Sequence, residues 1–243
     1  MSTPQIVKSA QFDTKNVAYS EPKKLQHGGQ AIYLNYNGKP LIFQTPKMSM
    51  PWDMGKFDGE IPKYSCDLSF KGMDNDENLT SFYNAFTKLD DKLLDDAEKN
   101  SMAWFKKKTQ SKEVCRALYA PQIKLSKDKN GEADGKYPPT MKVKIPCRDG
   151  KFECDAYDTN KQLIQGDLKD VLVKGSSVQA LIQCVGLWFA GGKFGCSWKV
   201  VQMKVTPPAG IHGYSFIDSD DDMVEDVHEE SQNSDEDLVS DDE

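Results

Sequence analysis

The segment from residue 177 to residue 205 constrains the fold of this chain more than any other stretch. Apolar residues alternate with small or polar ones on both sides of Gly191-Gly192, in the order SVQALIQCVGLWFA, GG, KFGCSWKVVQMKV. Alternation with a period of two is typical of a strand with one buried face, and a glycine pair readily takes the positive φ angles of a tight hairpin turn. The pattern therefore predicts a long hairpin of strands 177–190 and 193–205.

Two adjacent valines interrupt this alternation near the end of the second strand. Before the interruption the apolar residues are spaced by two: Phe194, Cys196, Trp198 and Val200. After it the apolar phase moves to the alternate positions: Val201, Met203 and Val205. Such a slip predicts a β-bulge, which lets a strand bend around the corner of a barrel, and it favours a closed or nearly closed sheet.

Earlier segments also have strand character. Residues 31–36 and 40–45 flank Asn37-Gly38, a pair typical of hairpin turns, and residues 64–70 form a further strand-like run. These signals predict a first hairpin and a separate third strand.

Residues 140–145 and 151–157 flank the turn-forming segment 148–150, and we expect these two runs to pair with each other. Between residues 124 and 136 the sequence KLSKDKNGEADGK has the composition of a surface loop.

One amphipathic helix interrupts the strands, over residues 78–100. Its apolar residues have helical spacing: Leu79, Phe82, Phe86, Leu89, Leu93 and Ala97. They are predicted to be core residues, whereas the acid pairs Asp90-Asp91 and Asp95-Asp96 are predicted to form a solvated face. Short strands, one helix and inserted loops favour a mainly β fold, a Greek-key barrel of the OB type, with a β-sandwich as the alternative.

The charge of the chain is divided between two unlike parts. Residues 218–243 contain 14 acids and no Lys or Arg, so the remaining 24 acids face all 31 bases and the body has a net charge of +7. The acidic segment has no aromatic residue and too little apolar content to offset the entropy of ordering, so we expect a disordered tail. The expected organisation is a nucleic-acid-binding body, residues 1–217, followed by an acidic tail, residues 218–243.

Several classes of function lack their sequence signals. No apolar stretch reaches the roughly 20 residues of a membrane span, and the N-terminus lacks the order of a signal peptide, so a soluble intracellular protein is expected. The six cysteines form no C-x-x-C pair and are expected to be reduced thiols. No phosphate loop, zinc-protease motif or paired nucleophile and base is found. We therefore expect no enzyme activity, no cofactor and no metal.

A basic body rich in aromatic residues can hold single-stranded nucleic acid, because lysines attract phosphates while aromatic rings stack on unpaired bases. The candidate contact residues lie in the last hairpin, in the preceding strands, after the helix and in one loop: Trp188, Phe189, Lys193, Phe194, Trp198, Lys199, Lys142, Lys144, Arg148, Lys106, Lys107, Lys108 and Trp52. Pleating must turn part of this set inward. Lys193 is at the hairpin tip, and Trp52 is either a stacking residue or a lid over the core.

The tail suggests a mechanism of regulation, because a tethered polyanion imitates a phosphate backbone and competes with nucleic acid for a cationic groove. Once displaced by DNA, it can bind partner proteins. Its acids are Asp218, Asp220, Asp221, Asp222, Glu225, Asp226, Glu229, Glu230, Asp235, Glu236, Asp237, Asp241, Asp242 and Glu243. Ser219, Ser234 and Ser240 each precede acids in a pattern that acidophilic kinases favour, and phosphorylation would add negative charge.

Read in order, the body resembles the single-stranded DNA-binding proteins of the short-tailed coliphage replication type and their counterparts in large nucleocytoplasmic DNA viruses. The resemblance lies in YSCDLSFKG before the helix, then MKVKIPCRDGKFECDAYDTNKQLIQGDL, then VKGSSVQALIQCVGLWFAGGKFGCSWKVVQMKV and the acidic terminus. The segment LWFAGGKFGCSWKVVQMKV is its most specific part.

The resemblance implies an OB-fold core that coats single-stranded DNA during replication and recombination, in the host nucleus or a cytoplasmic viral factory. It implies recruitment of a replicative polymerase and a helicase-primase through the tail, and often a homodimer. It also implies that an aromatic residue late in the penultimate strand stacks on DNA, and Trp188 is the nearest match. The phage-type tail ends in an anchoring aromatic residue, whereas this chain ends SDDE. Self-docking would then depend on charge and weaken with salt.

Two other functions stay open from the sequence. An acidic-tailed interaction protein, such as a chaperone for basic proteins, would use the barrel as a scaffold and would lose partner binding without its tail. An RNA-binding factor would prefer RNA over DNA of the same sequence.

Overall fold

The computed structural model of this protein describes residues 5–25 and 29–208, which form a mainly β body. Its strands, in chain order, are β1 (Ile6–Val7), β2 (Val17–Tyr19), β3 (Lys23–Lys24), β4 (Gln30–Ile32), β5 (Leu34–Tyr36), β6 (Lys39–Pro40), β7 (Ile42–Gln44), β8 (Met48–Ser49), β9 (Gly55–Phe57), β10 (Lys63–Ser69), β11 (Tyr119–Ala120), β12 (Ile123–Lys124), β13 (Thr140–Ile145), β14 (Cys147–Arg148), β15 (Lys151–Phe152), β16 (Asp155–Tyr157), β17 (Ser177–Ala190) and β18 (Lys193–Thr206). The described α-helices are α1 (Glu77–Lys99), α2 (Ser101–Phe105) and α3 (Lys112–Leu118), so two short α-helices accompany the expected one. The described residues also contain four single-turn 3-10 helices, at Ser9–Gln11, Thr14–Asn16, Met73–Asn75 and Leu168–Asp170. The acidic tail lies outside the described residues.

The predicted long hairpin is confirmed. Strands β17 and β18 pair antiparallel, and Gly191 and Gly192 form the turn with φ angles of 57° and 74°. The predicted bulge is confirmed as well, because Ile182 pairs with Val200 whereas Leu181 pairs with Gln202, which leaves Val201 as the extra residue. A second register shift, between Cys184 and Gly186, was not anticipated.

The main sheet closes on itself, as the bulge had indicated. Within the described residues, the ring runs β8, β10, β13, β18, β17 and back to β8, and its neighbours are antiparallel except for β13 and β18. The link between β13 and β18 is the pairing of Lys144 with Lys199. Ser49 links β8 to β10, and Met48 and Ser49 together link it to β17. A closed ring of five strands is one barrel and not two facing sheets.

Two expected strand pairings are wrong although their turns are right. Asn37 and Gly38 turn the chain with positive φ, but across this turn β5 meets only the short β6, while its other edge pairs with β2. Strand β7 pairs with β17 instead. The reason is burial: Phe43 of β7 is completely buried, and only the barrel wall offers it a core.

Likewise, the turn after Arg148 joins only β14 and β15. Strand β13 pairs with β10 instead, in the register Tyr64 to Ile145 through Ser69 to Thr140. Strand β16 pairs with residues 202–204 of β18, which come after Lys199, the β18 residue that pairs with β13. All six β13 residues thereby pair with β10, whereas the predicted partner is divided between β15 and β16.

Helix α1 packs across the barrel core. Asp76 caps its N-terminus by accepting hydrogen bonds from the backbone N–H groups of Asn78 and Leu79, at 2.9 and 3.1 Å. All six apolar residues predicted for its inner face are buried, and Phe86 contacts the rings of Phe43 and Trp198. Among the described helices, none is both long enough and apolar enough to cross a membrane.

The acid pairs on α1 differ from expectation, because one member of each pair is used inside the fold. Asp96 is buried and accepts hydrogen bonds from Tyr19 and Lys92, at 2.7 and 2.6 Å. Asp90 accepts hydrogen bonds from the Tyr119 hydroxyl and the Gln122 amide, and its burial raises the pKa of its carboxyl despite these donors. These carboxylates tie α1 to the rest of the body.

Candidate nucleic-acid interface

The two faces of the β17–β18 hairpin have different surroundings. Leu187, Phe189, Phe194 and Trp198 point to the inner face, whereas Trp188, Gly195 and Lys199 alternate with them and point to the outer face. We call one surface of the barrel the outer face. It consists of the residues of β4, β9, β10, β13, β17 and β18 that lie on the same side of the sheet as Trp188, Gly195 and Lys199. Contacts to a ligand from the hairpin must come from this surface or from the turn.

Two aromatic residues predicted to contact nucleic acid are core residues. Trp198 is 2% exposed, and its indole N–H donates to the side-chain carbonyl of Gln122, which in turn donates to Asp90. Phe194 is completely buried against the rings of Phe105 and Tyr119. A ring in these positions cannot stack on a base while the barrel stays folded, so both are corrected to structural residues.

Phe189 also belongs to the inner face. Its ring stacks on Phe194, with centroids 5.9 Å apart and planes within 9°, and meets Phe105 edge-on. It is partly exposed and lines a pocket near the hairpin tip, where Lys107 and Lys193 also lie.

The three lysines after α2, Lys106, Lys107 and Lys108, are exposed. Lys107 lies on the Phe189 side of the hairpin, so this part of the run is separated from Trp188 by the strands themselves. Lys193 is exposed beside the turn, as expected, and can be approached from either side.

Trp188 is the aromatic residue that the hairpin presents on the outer face. It pairs with Gly195 on one side and Ala31 on the other, and it is partly exposed. Its indole lies directly over Gly195: a Cβ placed on that glycine would be 2.8 Å from Cζ2 of Trp188. The absence of a side chain at position 195 therefore makes room for the ring to lie against the sheet.

A second aromatic residue, which sequence reasoning missed, follows two residues after Ala31, the partner of Trp188 on β4. Tyr33 is 41% exposed, and the ammonium of Lys23 lies 5.2 Å from its ring centroid. Strand β4 comes this close because Gly186 has no side chain, since a Cβ there would be 2.5 Å from the carbonyl oxygen of Ile32. Gly186 has a φ of 119°, which a residue with a side chain rarely adopts.

Three lysines form a cationic strip beyond the aromatic pair. Lys199 and Lys144 face each other across β18 and β13, and Lys144 donates to the Ser197 hydroxyl at 3.1 Å. Partial burial, followed by the charge of Lys63, lowers the pKa of Lys144 below the ordinary 10.5. The third lysine of the strip is Lys63. Within the described residues, Lys63, Lys144 and Lys199 form no ion pair, so their charge is available to an anion.

Two other predicted cations are already paired. Lys142 lies 3.3 Å from Asp67 on the neighbouring strand β10, and the exposed Arg148 lies 3.2 Å from Glu153 on the small β14–β15 hairpin. Lys142 belongs to the outer face but is partly neutralised there, and Arg148 lies outside the ladders that define it.

The loop between β8 and β10 carries exposed aromatic residues. Trp52 is 60% exposed, so it is not a lid over the core, and Phe57 is 68% exposed on β9 beside Lys63. Hydrogen bonds from Lys174 N to Asp53 and from Met54 N to Leu172 O, at 2.7 and 2.8 Å, hold the start of this loop. Sequence reasoning missed Phe57, although its flanking charged and glycine residues were a signal of exposure.

The outer face thus combines aromatic rings and cations on one surface. Gly195, under Trp188, is four residues from Lys199, which corresponds to roughly 13 Å along a strand. Lys144 and then Lys63 continue from Lys199 toward Phe57. Such a surface can bind an anionic polymer that also exposes planar groups.

A comparison with protein families matches residues 73–218, more than half of the chain, to a family of unknown function (DUF5871). A curated relative, the uncharacterized protein L291 of Acanthamoeba polyphaga mimivirus, is 29% identical over 175 residues. The alignment covers 69% of this chain and 26% of the relative, so the chain spans about a quarter of that protein's length.

Solved structures with partial likeness include phage single-stranded DNA-binding proteins, the class that the sequence resembles. The protein of bacteriophage Enc34 in complex with ssDNA is 12% identical, with 79% of this chain and 97% of that chain covered and a TM-score of 0.44. The gp2.5 protein of bacteriophage T7 is 15% identical, with 80% and 98% covered and a TM-score of 0.41. TM-scores at this level do not establish a common fold, and the strand pairing described above stands independently of them.

Proposed function

We propose that this chain, which belongs to the family of unknown function DUF5871, binds single-stranded DNA along the outer face of its barrel. The observation that carries the proposal is the placement of Trp188 and Tyr33 on the same surface as three lysines that form no ion pair with any described residue: Lys63, Lys144 and Lys199. Rings stack on unpaired bases whatever their sequence, and lysines hold the phosphates between them. Binding should therefore have little sequence preference.

We further take the five-stranded ring to be a barrel of the OB type. Residues 42–49 are then its first strand, β10 and β13 its second and third, and β17 and β18 its fourth and fifth. Barrels of this type bind oligonucleotides on the face of strands two and three, between the first and the last interstrand loops. Here that face carries Lys63 and Lys144, and the two loops are residues 50–62 and the Gly191-Gly192 turn.

The body of residues 1–217 and the tail of residues 218–243 are proposed to have opposed roles. The tail competes with DNA for the cationic strip, and DNA binding frees it to recruit replication proteins, a polymerase and a helicase-primase among them. The charge of the two parts supports this division, because 14 acids stand against a body with a net charge of +7. We extend the proposal to a role in viral DNA replication and recombination, without catalysis.

The test is fluorescence anisotropy of a labelled thymidine oligomer with full-length protein and with a chain ending at Ile217, at two salt concentrations. We expect binding that weakens with salt and strengthens on truncation. A matched full-length variant, with its 14 tail acids replaced by their amides, separates charge from tail length and should bind like the truncated chain.

The variant K63Q/K144Q/K199Q should lose most of this binding, whereas K88Q, on the exposed side of α1, should not. Absence of binding by every form at low salt would falsify the proposal and favour the acidic tail as the functional element. Stronger binding to RNA of the same sequence would instead identify an RNA-binding factor.

A further inference from the structure

A cleft of about 460 Å³ lies on the barrel wall beyond the cationic strip. Its floor consists of outer-face positions near the open end of the hairpin, among them Gln179, Leu181 and Gln202. One wall includes Ile6 and Gln44 of β1 and β7. The volume is within the range of small-molecule sites, roughly 300 to 1,000 Å³.

The cleft exists because β18 changes its neighbour at the bulge. Above Val201, β18 pairs with β13 through Lys199, and below it β18 pairs with β16. Strand β16 leads into a tight turn in which Lys161 has a φ of 64° and the Asp158 carboxylate accepts two backbone N–H groups. This turn and Tyr157 form the second wall.

The polar groups in the cleft are of two kinds. Lys161 and Lys204 line it, both are exposed, and neither forms an ion pair within the described residues. No carboxylate is among its lining residues, and Asp155 lies next to the cleft on β16, opposite Gln202. The cleft therefore favours an anion.

The remaining polar lining consists of three amides and one phenol ring: Gln44, Gln179, Gln202 and Tyr157. Glutamine both donates and accepts hydrogen bonds, as the edges of nucleic-acid bases do. Tyr157 alternates with the buried Ala156, so its ring belongs to the outer side of β16. A planar heterocycle that carries a phosphate can stack on the Tyr157 ring, form hydrogen bonds with the glutamine amides and place its phosphate near the two lysines.

We propose that this cleft holds a nucleotide of the same single strand that crosses the outer face, so that the DNA path continues past Lys199 down the hairpin. This inference rests on the proposed function. Lys199 is paired with Gln183, and Gln202, on the cleft floor, is three residues further along β18, roughly 10 Å away. Gln202 pairs with Leu181, and these two pairings place Lys199 and Gln202 on the same side of the hairpin, so one extended chain can follow both sites.

The experiment compares Y157A and K161Q/K204Q with the unchanged chain in anisotropy titrations. Thymidine oligomers of about 4 and about 16 nucleotides bracket the usual range of sites on such barrels. For the longer oligomer we expect Y157A to lose about tenfold in affinity, and K161Q/K204Q to reduce the salt slope by about two. Affinity for the shorter oligomer, which the aromatic pair and the cationic strip accommodate, should not change.

A matched control is K124Q/K129Q, which removes two exposed lysines at and after β12 and should leave both titrations unchanged. Photocrosslinking of the longer oligomer, with 5-iododeoxyuridine at successive positions, should attach one end to Tyr157 and another position to Trp188. Equal binding of both oligomers by Y157A and K161Q/K204Q would overturn the inference while the proposed function stood. Absence of binding by the unchanged chain would remove both.

Free thymidine monophosphate distinguishes a nucleotide site from a strand path. Thermal stabilisation of the unchanged chain by the monophosphate, abolished in K161Q/K204Q, together with unaltered long-oligomer affinity, would assign the cleft to free nucleotides and overturn the continuous path. Loss of long-oligomer affinity in the same variant supports it.

Discussion

Trp188 and Trp198 stand on paired strands of one hairpin, yet their surroundings are opposite. Trp198 is sealed into the core and donates its indole N–H to Gln122, whereas Trp188 lies against Gly195 on the outer surface. Both are large aromatic residues in an alternating strand, so residue type does not distinguish them. The difference shows that side-chain facing, set by strand register, separates a structural aromatic residue from a candidate stacking residue.

The largest expected effect is the loss of stability in Trp198→Ala. Removing a buried tryptophan leaves a cavity and takes the indole N–H donor from the Gln122 side-chain carbonyl, and the cost should be about 3 to 5 kcal/mol of unfolding free energy. Urea denaturation followed by circular dichroism measures it. Trp188→Ala should cost about 1 kcal/mol or less. Equal losses in the two variants would contradict the contrast between the faces.

The next largest expected effect concerns DNA binding, to which Trp188 on the outer face is expected to contribute directly. Trp188→Ala should weaken binding of a thymidine oligomer by about 1 to 3 kcal/mol, the contribution of one stacked base, while Trp188→Phe keeps most of the affinity. Tyr137→Ala is a suitable control, because Tyr137 is 60% exposed outside the ladders of the outer face. Unchanged affinity in Trp188→Ala would remove this residue from the interface.

The cationic strip should respond through salt dependence. Replacing Lys144 or Lys63 with Gln should each reduce the slope of log affinity against log salt by about one, because one phosphate contact is lost. Lys142→Gln should change it less, since Lys142 is already paired with Asp67. Anisotropy titrations at four salt concentrations measure these slopes. A larger change of slope for Lys142→Gln than for Lys144→Gln would refute the expected ranking.

The smallest expected effect is the pH dependence of binding. Since partial burial and Lys63 lower the pKa of Lys144, its ammonium loses its proton at lower pH than an ordinary lysine with a pKa of 10.5. Only the charged form attracts phosphate, so affinity should fall as the pH rises through this lowered pKa. Lys144→Arg keeps its charge and should flatten the profile at pH values below 10.5. Identical profiles would exclude Lys144 as the titrating group.

Local patterns predicted much of the fold because the interactions concerned are close in sequence. The glycine pair at the hairpin tip, the slip at Val200 and Val201 and the spacing of α1 all depend on residues within a few positions of each other. The wrong pairings of β7 and β13 concern partners far apart in the chain. No local signal distinguishes such partners, because many strands could bury the same apolar face.

For the candidate site, the sequence by itself determined the kinds of residue available: aromatic rings, lysines and a separate acidic tail. The alternation along each strand also divided its side chains into two sets, one on each face of the sheet. Only the tertiary structure decided which set was which, by sealing Phe194 and Trp198 inside and bringing Tyr33, Phe57 and Lys63 to the outer face. The physical reason is that facing depends on register and ring closure, and one residue of slip reverses every side chain.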